Sequence, residues 1–156
     1  MRLLFEQEYP KYEKALFLIA LGYVHNTEDA RDVLQDALLS AFQSIDTLRH
    51  REYFKTWLTR IVINKSKNFL KAKRFTEELS DDLNVFYGLP ERDMEIMDAI
   101  CRMERSRSVY ITLRFYNDMT YEQVAKALRQ PLSTVKYRTK TALKELGKLL
   151  EGEVTL

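Results

Sequence analysis

Two helix starts, thirteen residues apart in the last third of the chain, constrain the fold more than any other feature. Thr120 and Gln123 have the spacing of a capping box, in which each side chain accepts a hydrogen bond from the other residue's backbone amide. Ser133 is a second N-cap candidate, and Pro131 before it discourages the first helix from continuing. Apolar residues recur at helical spacing after each start. This pattern predicts a helix-turn-helix.

The second of these two helices is strongly basic. It carries five cations against one acid, Glu145: Lys136, Arg138, Lys140, Lys144 and Lys148. The helical period predicts an apolar stripe of Val135, Thr139, Ala142, Leu143 and Leu146. Such a helix is typical of one that lies against nucleic-acid phosphates. A helical hairpin with a solvated charged face is the alternative for this segment taken alone.

The net charge of +2 conceals a partition into three blocks. Residues 1–75 carry +4, residues 76–95 carry −6, and residues 96–156 carry +4. Two basic blocks separated by an acidic one predict two small nucleic-acid-binding domains joined by a linker. The linker contains Gly88 and Pro90 and lacks helical periodicity, so we expect it to be extended or irregular. The fold class predicted for the whole chain is all-α.

The first block predicts three or four helices. Pro10 suits the first turn of a helix that runs to about Val24. Asn26 or Thr27 caps the next helix, which has an acidic first turn, as the helix dipole favours. A long helix then runs over about 53–75.

That long helix and the loop before it are rich in cations and aromatic rings. Nine Lys or Arg residues lie between Arg49 and Arg74, opposed only by Glu52. Phosphates bind such cations, while unstacked bases rest on aromatic or amide-bearing side chains. Phe54 and Trp57 have core spacing, and the better candidates for nucleic acid fall on other faces: Tyr53, Arg60, Asn64 and Lys65.

Composition argues against several other functions. Four glycines are too few for a phosphate-cradling loop, and His25, His50 and Cys101 are too few for a metal site. Cys101 reads as a small buried hydrophobe. The apolar run from Ala15 to Val24 is half the length needed to span a bilayer. We therefore expect a cytoplasmic protein that is not an enzyme and has no metal site, no cofactor and no small-molecule substrate.

Three motifs, in five segments of the chain, carry a resemblance to a known family. Residues 29–42 resemble the core-binding helix of region 2 in extracytoplasmic-function (group 4) sigma factors, of the sigma-70 family. Residues 54–64 resemble the promoter-melting helix that follows it. Residues 113–116, 119–125 and 133–138 resemble region 4. The resemblance covers nearly the whole chain, with the motifs in the expected order.

The chain departs from the family pattern at two places. Arg129 stands where the family usually has glycine in the turn of the helix-turn-helix, and Arg is less suited than Gly to a positive φ. The usual Leu-Pro opening of region 4 is replaced by Arg102-Met103-Glu104. This replacement predicts a longer or straighter helix there.

The resemblance implies a bacterial transcription initiation factor that binds core RNA polymerase, recognises double-stranded DNA at −35 and a melted strand at −10, and is held by an anti-sigma factor. It implies region 2 in residues 1–75 and region 4 in 96–156. The implied polymerase contacts are Asp32, Gln35, Asp36 and Leu39. The implied −10 contacts are Arg49, Tyr53, Arg60, Asn64 and Lys65. The implied −35 contacts are Ser133, Lys136, Tyr137 and Lys140, with Thr134 and Arg138 on phosphate.

Two alternatives remain at this point. One is a stand-alone helix-turn-helix regulator whose N-terminal block dimerises or senses a ligand; such a protein would dimerise and protect a palindrome without polymerase. The other, a small all-helical enzyme or RNA-modifying protein that uses the basic helix, is disfavoured, because His, Cys and Gly are not clustered.

Overall fold

All secondary structure in the computed structural model, which describes residues 2–76 and 90–154, is helical. The first half contains α1 (Arg2–Val24), α2 (Thr27–Ser44), short 3-10 turns at Ile45–Thr47 and Arg51–Tyr53, and α3 (Phe54–Thr76). The second half contains α4 (Glu91–Arg102), α5 (Arg105–Ile111), a π-helical turn (Thr112–Tyr116), α6 (Tyr121–Leu128) and α7 (Leu132–Val154). The predicted all-α class is confirmed.

Helix α1 is longer than predicted. It begins at Arg2, so Pro10 lies inside the helix and the expectation that Pro10 opens it is wrong. Proline in a helix interior removes one backbone hydrogen bond. Burial of the preceding turns compensates, because the Phe5 ring packs edge-on against Phe42 and Phe54 at centroid distances of 5.7 and 5.9 Å.

Helices α1, α2 and α3 pack together around an apolar core. The N-cap predicted for α2 is confirmed at Asn26, whose Oδ1 accepts a hydrogen bond from the Asp29 amide at 3.0 Å. One face of each helix is buried in this core, with Leu16, Ile19, Val33, Leu58 and Val62 all at most 3% exposed.

The boundary between α4 and α5 is a sharp break, so the expected longer or straighter helix at Arg102-Met103-Glu104 is wrong. Helix α4 ends at Arg102, and both Met103 and Glu104 have extended backbone. The Met103 side chain is only 3% exposed. The break thus lets Met103 enter the core while α5 leaves in a new direction.

The predicted linker is only partly described. Residues 91–95, expected to be extended, form the first turns of α4, where Glu91 and Asp93 suit the positive end of the helix dipole. Residues 77–89 lie outside the described residues. The proposed domain boundaries therefore stay a prediction.

The two halves are in contact. Helix α1 packs against α4, α5 and the π-helical turn, and α3 packs against α6. The second half of α1 is consequently surrounded, and Leu18, Ile19, Ala20 and Leu21 are at most 1% exposed. Gly22 lies at this contact, where an added Cβ would be at ordinary van der Waals distance, 3.5 Å, from the Thr112 Cγ2.

Candidate nucleic-acid and partner-binding surfaces

The turn between α6 and α7 has the geometry of a helix-turn-helix. The capping box is present, with the Gln123 amide 3.1 Å from Thr120 Oγ1 and the Thr120 amide 2.9 Å from Gln123 Oε1. Arg129 adopts the left-handed conformation (φ 54°, ψ 51°), and the amides of Gln130 and Arg129 bond back to the carbonyls of Ala125 and Lys126. This is a Schellman cap, in which glycine is usual. The chain thus makes the expected turn with an arginine.

Helix α7 is anchored by the stripe predicted for it, with one exception. Val135, Thr139 and Ala142 are fully buried and Leu146 is 8% exposed. Leu143, assigned to the same stripe, is 37% exposed, so that assignment is wrong. Leu143 lies outside the face of α7 that packs against α5 and α6. The helix also begins at Leu132, with the Pro131 carbonyl accepting from the Val135 amide at 3.1 Å, so Ser133 lies in the first turn and is not the cap.

The opposite face of α7 is exposed. Tyr137 is 71% exposed, Thr134 is half-buried, and the remaining predicted −35 residues are exposed: Ser133, Lys136, Arg138 and Lys140. Unlike the other residues of this face, Arg138 points towards α5, where its guanidinium donates a hydrogen bond to the Tyr110 hydroxyl at 3.2 Å. That hydroxyl donates in turn to Gln130 Oε1 at 2.5 Å. Arg138 therefore ties α7 to α5 and to the turn.

The predicted −10 residues lie in the segment that precedes α3 and in the first half of α3 itself. Arg49, Tyr53 and Asn64 are exposed, and Arg60 and Lys65 are half-buried. The Tyr53 ring has the Lys126 ammonium of α6 over its face, 5.3 Å from the ring centroid. Nearby, burial lowers the pKa of Lys55, an effect that Asp118 opposes.

The predicted polymerase-binding residues share one exposed face of α2. Asp32, Gln35, Asp36 and Leu39 are all exposed, and Leu39 is 58% exposed. Their spacing of three, four and seven residues places them in a row along the helix. The row combines two carboxylates with an exposed aliphatic side chain, a composition suited to a protein partner.

Two features of the second half were not predicted from sequence. An apolar groove of about 310 Å³ lies between α4, the π-helical turn and α7, with Phe115 (49% exposed) and Leu143 on its wall. The exposed Phe115, at the end of an apolar run, is the only sequence signal for it. The second feature is a buried hydrogen bond between the halves, from Asn117 Nδ2 to Thr59 Oγ1 at 2.9 Å. It joins residues 58 positions apart, and no local pattern marks either one.

Other site types find little support in the described ranges. Within residues 2–76 and 90–154, no three His, Cys, Asp or Glu side chains are grouped so that they could hold a metal ion. Among the helices of these ranges, none has the length and apolar character needed to cross a membrane. Cys101 is partly buried, and burial raises the pKa of its thiol to about 12.

Comparison with protein families assigns both halves. Residues 9–76 match Sigma-70 region 2, and residues 93–146 match Sigma-70 region 4. Among curated proteins, the chain is 26% identical to RNA polymerase sigma factor SigV of Bacillus subtilis, over 85% of this chain and 82% of that protein. It is 29% identical to RNA polymerase sigma-H factor of Pseudomonas aeruginosa, over 90% of this chain and 83% of that protein.

Two solved structures share the fold. The sigma factor RpoE of Bartonella quintana, in complex with the anti-sigma factor NepR, superposes with a TM-score of 0.76 at 24% identity, covering 94% of this chain and 96% of that one. CnrH, in complex with the cytosolic domain of CnrY, gives a TM-score of 0.69 at 20% identity, covering 95% and 88%. With regions 2 and 4 matched in order on one all-α chain, this protein belongs to the extracytoplasmic-function sigma factors of the sigma-70 family.

Proposed function

We propose that this chain binds bacterial core RNA polymerase and directs it to promoters through three separate surfaces, on α2, α3 and α7. The observation that carries the proposal is the exposed basic face of α7. This helix is fixed by Val135, Thr139 and Ala142, while Lys136, Tyr137 and Lys140 are presented to solvent. A basic face on a rigidly mounted second helix of a helix-turn-helix is the arrangement that reads a major groove.

The α7 surface is proposed to recognise duplex DNA at −35. Recognition helices contact base edges with their N-terminal residues. Ser133, Lys136, Tyr137 and Lys140 occupy this part of α7. Thr134 and Arg138 are proposed to contact phosphate, with Arg138 positioned by its hydrogen bond to Tyr110. Phosphate contacts fix the register of the helix, and base contacts supply the sequence preference.

The α3 surface is proposed to hold the melted strand at −10. Tyr53 offers a ring on which a base can stack, and the exposed Asn64 offers an amide to a flipped base edge. Arg49, Arg60 and Lys65 supply the cations that a single strand needs along its backbone. Stacking on an aromatic ring contributes on the order of 1–3 kcal/mol per base.

The α2 surface is proposed to bind the polymerase. Asp32 and Asp36 offer carboxylates to a basic partner, and Leu39 offers an apolar anchor beside them. Exposed charge alone would add little, whereas burial of the exposed Leu39 side chain against a partner would remove apolar surface from water. Gln35 lies between the two carboxylates and can donate or accept a hydrogen bond.

Regulation by an anti-sigma factor is part of the proposal, as is a cytoplasmic location. The two similar proteins of known structure are each bound to a protein partner: the sigma factor RpoE to the anti-sigma factor NepR, and CnrH to the cytosolic domain of CnrY. Exposed basic and apolar faces on this chain would need to be covered when transcription is not wanted. In this account the chain is an initiation factor and not an enzyme, with no cofactor and no small-molecule substrate.

Footprinting with and without core polymerase tests the proposal. We expect weak promoter protection by the free chain and strong protection of −35 and −10 by the complex. A nanomolar, palindromic footprint from the free chain would instead support a stand-alone regulator.

A further inference from the structure

A cavity of about 690 Å³ lies among the end of α1, the C-terminal half of α3, the break between α4 and α5, and the turn between α6 and α7. Pockets that bind small molecules commonly measure about 300–1,000 Å³. Six cationic side chains line this cavity against one acid, Glu104: Lys67, Lys71, Arg74, Arg102, Arg105 and Arg138. The three surfaces proposed above use only Arg138 of these six.

Three of the cations form a row on α3. Lys67, Lys71 and Arg74 are separated by four and three residues, so they lie on one face of the helix, and all three are exposed. The row spans about 10 Å along the helix axis. Within residues 2–76 and 90–154, no carboxylate forms an ion pair with any of the three. An anion that enters the cavity therefore meets positive charge that no ion pair neutralises.

Two arginines reach the cavity from the second half, and each is fixed by a hydrogen bond. Arg105 Nε donates to the Tyr23 carbonyl at 2.5 Å, and the Arg138 guanidinium donates to the Tyr110 hydroxyl at 3.2 Å. A guanidinium has five N–H donors, and the bond to Tyr110 uses one donor of Arg138. Guanidinium groups suit phosphate because two parallel N–H groups can bond to two of its oxygens.

Another part of the lining is apolar. Leu70, Met103 and Val109 are at most 8% exposed, and Leu128 is half-buried. An apolar wall beside a cationic one suits a ligand in which phosphate groups are attached to a less polar group. A nucleic-acid strand fits this arrangement less well, since strands are bound in grooves that follow their backbone, whereas these cations line a pocket.

We propose that this cavity binds a small polyphosphate, an anion with at least two linked phosphate groups, as a regulatory ligand. The α3 row and Arg138 would bind the phosphate groups from two sides. Inorganic and nucleoside polyphosphates share this chemistry, and the experiment below separates them. Because Arg138 also belongs to the proposed −35 surface, a bound polyphosphate would compete with promoter phosphate for it. Only this consequence rests on the function proposed above.

Isothermal titration calorimetry of the full chain tests the site without polymerase or DNA. Inorganic triphosphate, ATP and inorganic phosphate would be titrated without divalent cations at an ionic strength of about 0.15 M, where exposed charges are screened beyond about 8 Å. We expect one triphosphate per chain. Inorganic phosphate should bind at least tenfold more weakly than triphosphate, because a single phosphate reaches only part of the α3 row. Tighter binding of ATP than of triphosphate would assign a nucleotide ligand, and equal affinities would assign the phosphate chain alone.

A paired substitution on α3 locates the binding site. Lys71→Gln combined with Arg74→Gln changes two exposed positions and should weaken triphosphate binding at least tenfold in a folded chain. Arg31→Gln combined with Lys144→Gln is the matched control, because it removes one arginine and one lysine at exposed positions that do not line the cavity. This control should change the affinity by less than twofold.

Three results would overturn the proposal. One is the absence of saturable binding of both triphosphate and ATP to the folded wild type. Another is an equal loss of affinity in the two double variants, which would show that only net charge matters. The third is a single-stranded DNA that needs Lys71 and Arg74 for binding and that triphosphate does not displace, which would assign the cations to nucleic acid. None of these measurements involves polymerase, so the site and the proposed function fail independently.

Discussion

The Asp36 carboxylate lies 3.4 Å from the Lys65 ammonium, so the proposed polymerase surface on α2 and the proposed −10 surface on α3 share an ion pair. The side chains are 61% and 32% exposed, respectively. Exposed ion pairs of this kind contribute at most about 1 kcal/mol to the free energy of unfolding. Either partner can therefore exchange its contact for one with polymerase or DNA at little cost.

Reversal of charge at Asp36 should abolish polymerase binding without unfolding the chain. Asp36→Arg removes the carboxylate and places a second cation beside Lys65, yet it changes an exposed position. We expect a change in the free energy of unfolding below about 1 kcal/mol, and loss of competition for core polymerase. Glu6→Arg, an exposed acid on α1, is the control and should still compete. A folded Asp36→Arg chain that competes like the wild type would remove α2 from the interface.

Substitutions along α7 should separate base readout from phosphate contact. Lys136→Ala or Lys140→Ala should weaken the free energy of binding to the preferred −35 sequence by roughly 1–3 kcal/mol. Each should also relax the base preference at particular −35 positions. Lys148→Ala, about two turns further along, should weaken all promoters slightly and reduce the salt dependence by less than about one unit. A promoter-library selection measures both effects. If Lys136→Ala and Lys140→Ala both kept the wild-type preference, the wrong face of α7 would have been assigned.

Glycine at position 129 should stabilise the chain. Arg129 occupies the left-handed region, which is unfavourable for a residue with a Cβ. Arg129→Gly should raise the free energy of unfolding by about 1 kcal/mol and Tm by about 3 °C. The control, Glu122→Gly, puts glycine into the first turn of α6 and should lower Tm instead. A lower Tm for Arg129→Gly would mean that the arginine side chain contributes more than its backbone costs.

Cys101 should be unreactive in the folded protein. The pKa of its thiol is raised to about 12, mainly by burial and also by the Asp98 carboxylate, while Arg105 opposes the shift. Because the folded pKa exceeds the usual value of about 8.5, the stability that the neutral thiol supplies is present below that pH and is lost as pH rises towards 12. We expect iodoacetamide at pH 8.5 to label native Cys101 at least tenfold more slowly than the urea-unfolded chain. Equal labelling rates would show that the thiol is accessible and readily ionised.

Local signals were predicted correctly from the sequence because they depend on neighbouring residues. The capping box at Thr120 and Gln123, the Asn26 cap and the buried stripe of α7 each arise within one or two helical turns. Exposure of the α2 row also follows from helical spacing alone, although its binding role stays a prediction.

The errors concern features that depend on tertiary packing. Pro10 lies inside α1 because Phe5 is buried against two other helices. The break at Met103 exists because its side chain enters the core. The Asn117–Thr59 hydrogen bond joins residues 58 positions apart in the sequence. No local sequence pattern marks either residue, so this bond could not be predicted from the sequence.

The central claim, that this chain is a sigma factor that starts transcription, is tested most directly by an in vitro transcription assay. The purified chain would be added to bacterial core polymerase with a promoter-containing template library, and the 5′ ends of the transcripts would be mapped. We predict transcripts that start at discrete positions downstream of a shared −35 and −10 pattern and that are lost with Asp36→Arg. Transcription no more specific than that of core polymerase alone, from a folded chain, would contradict the account.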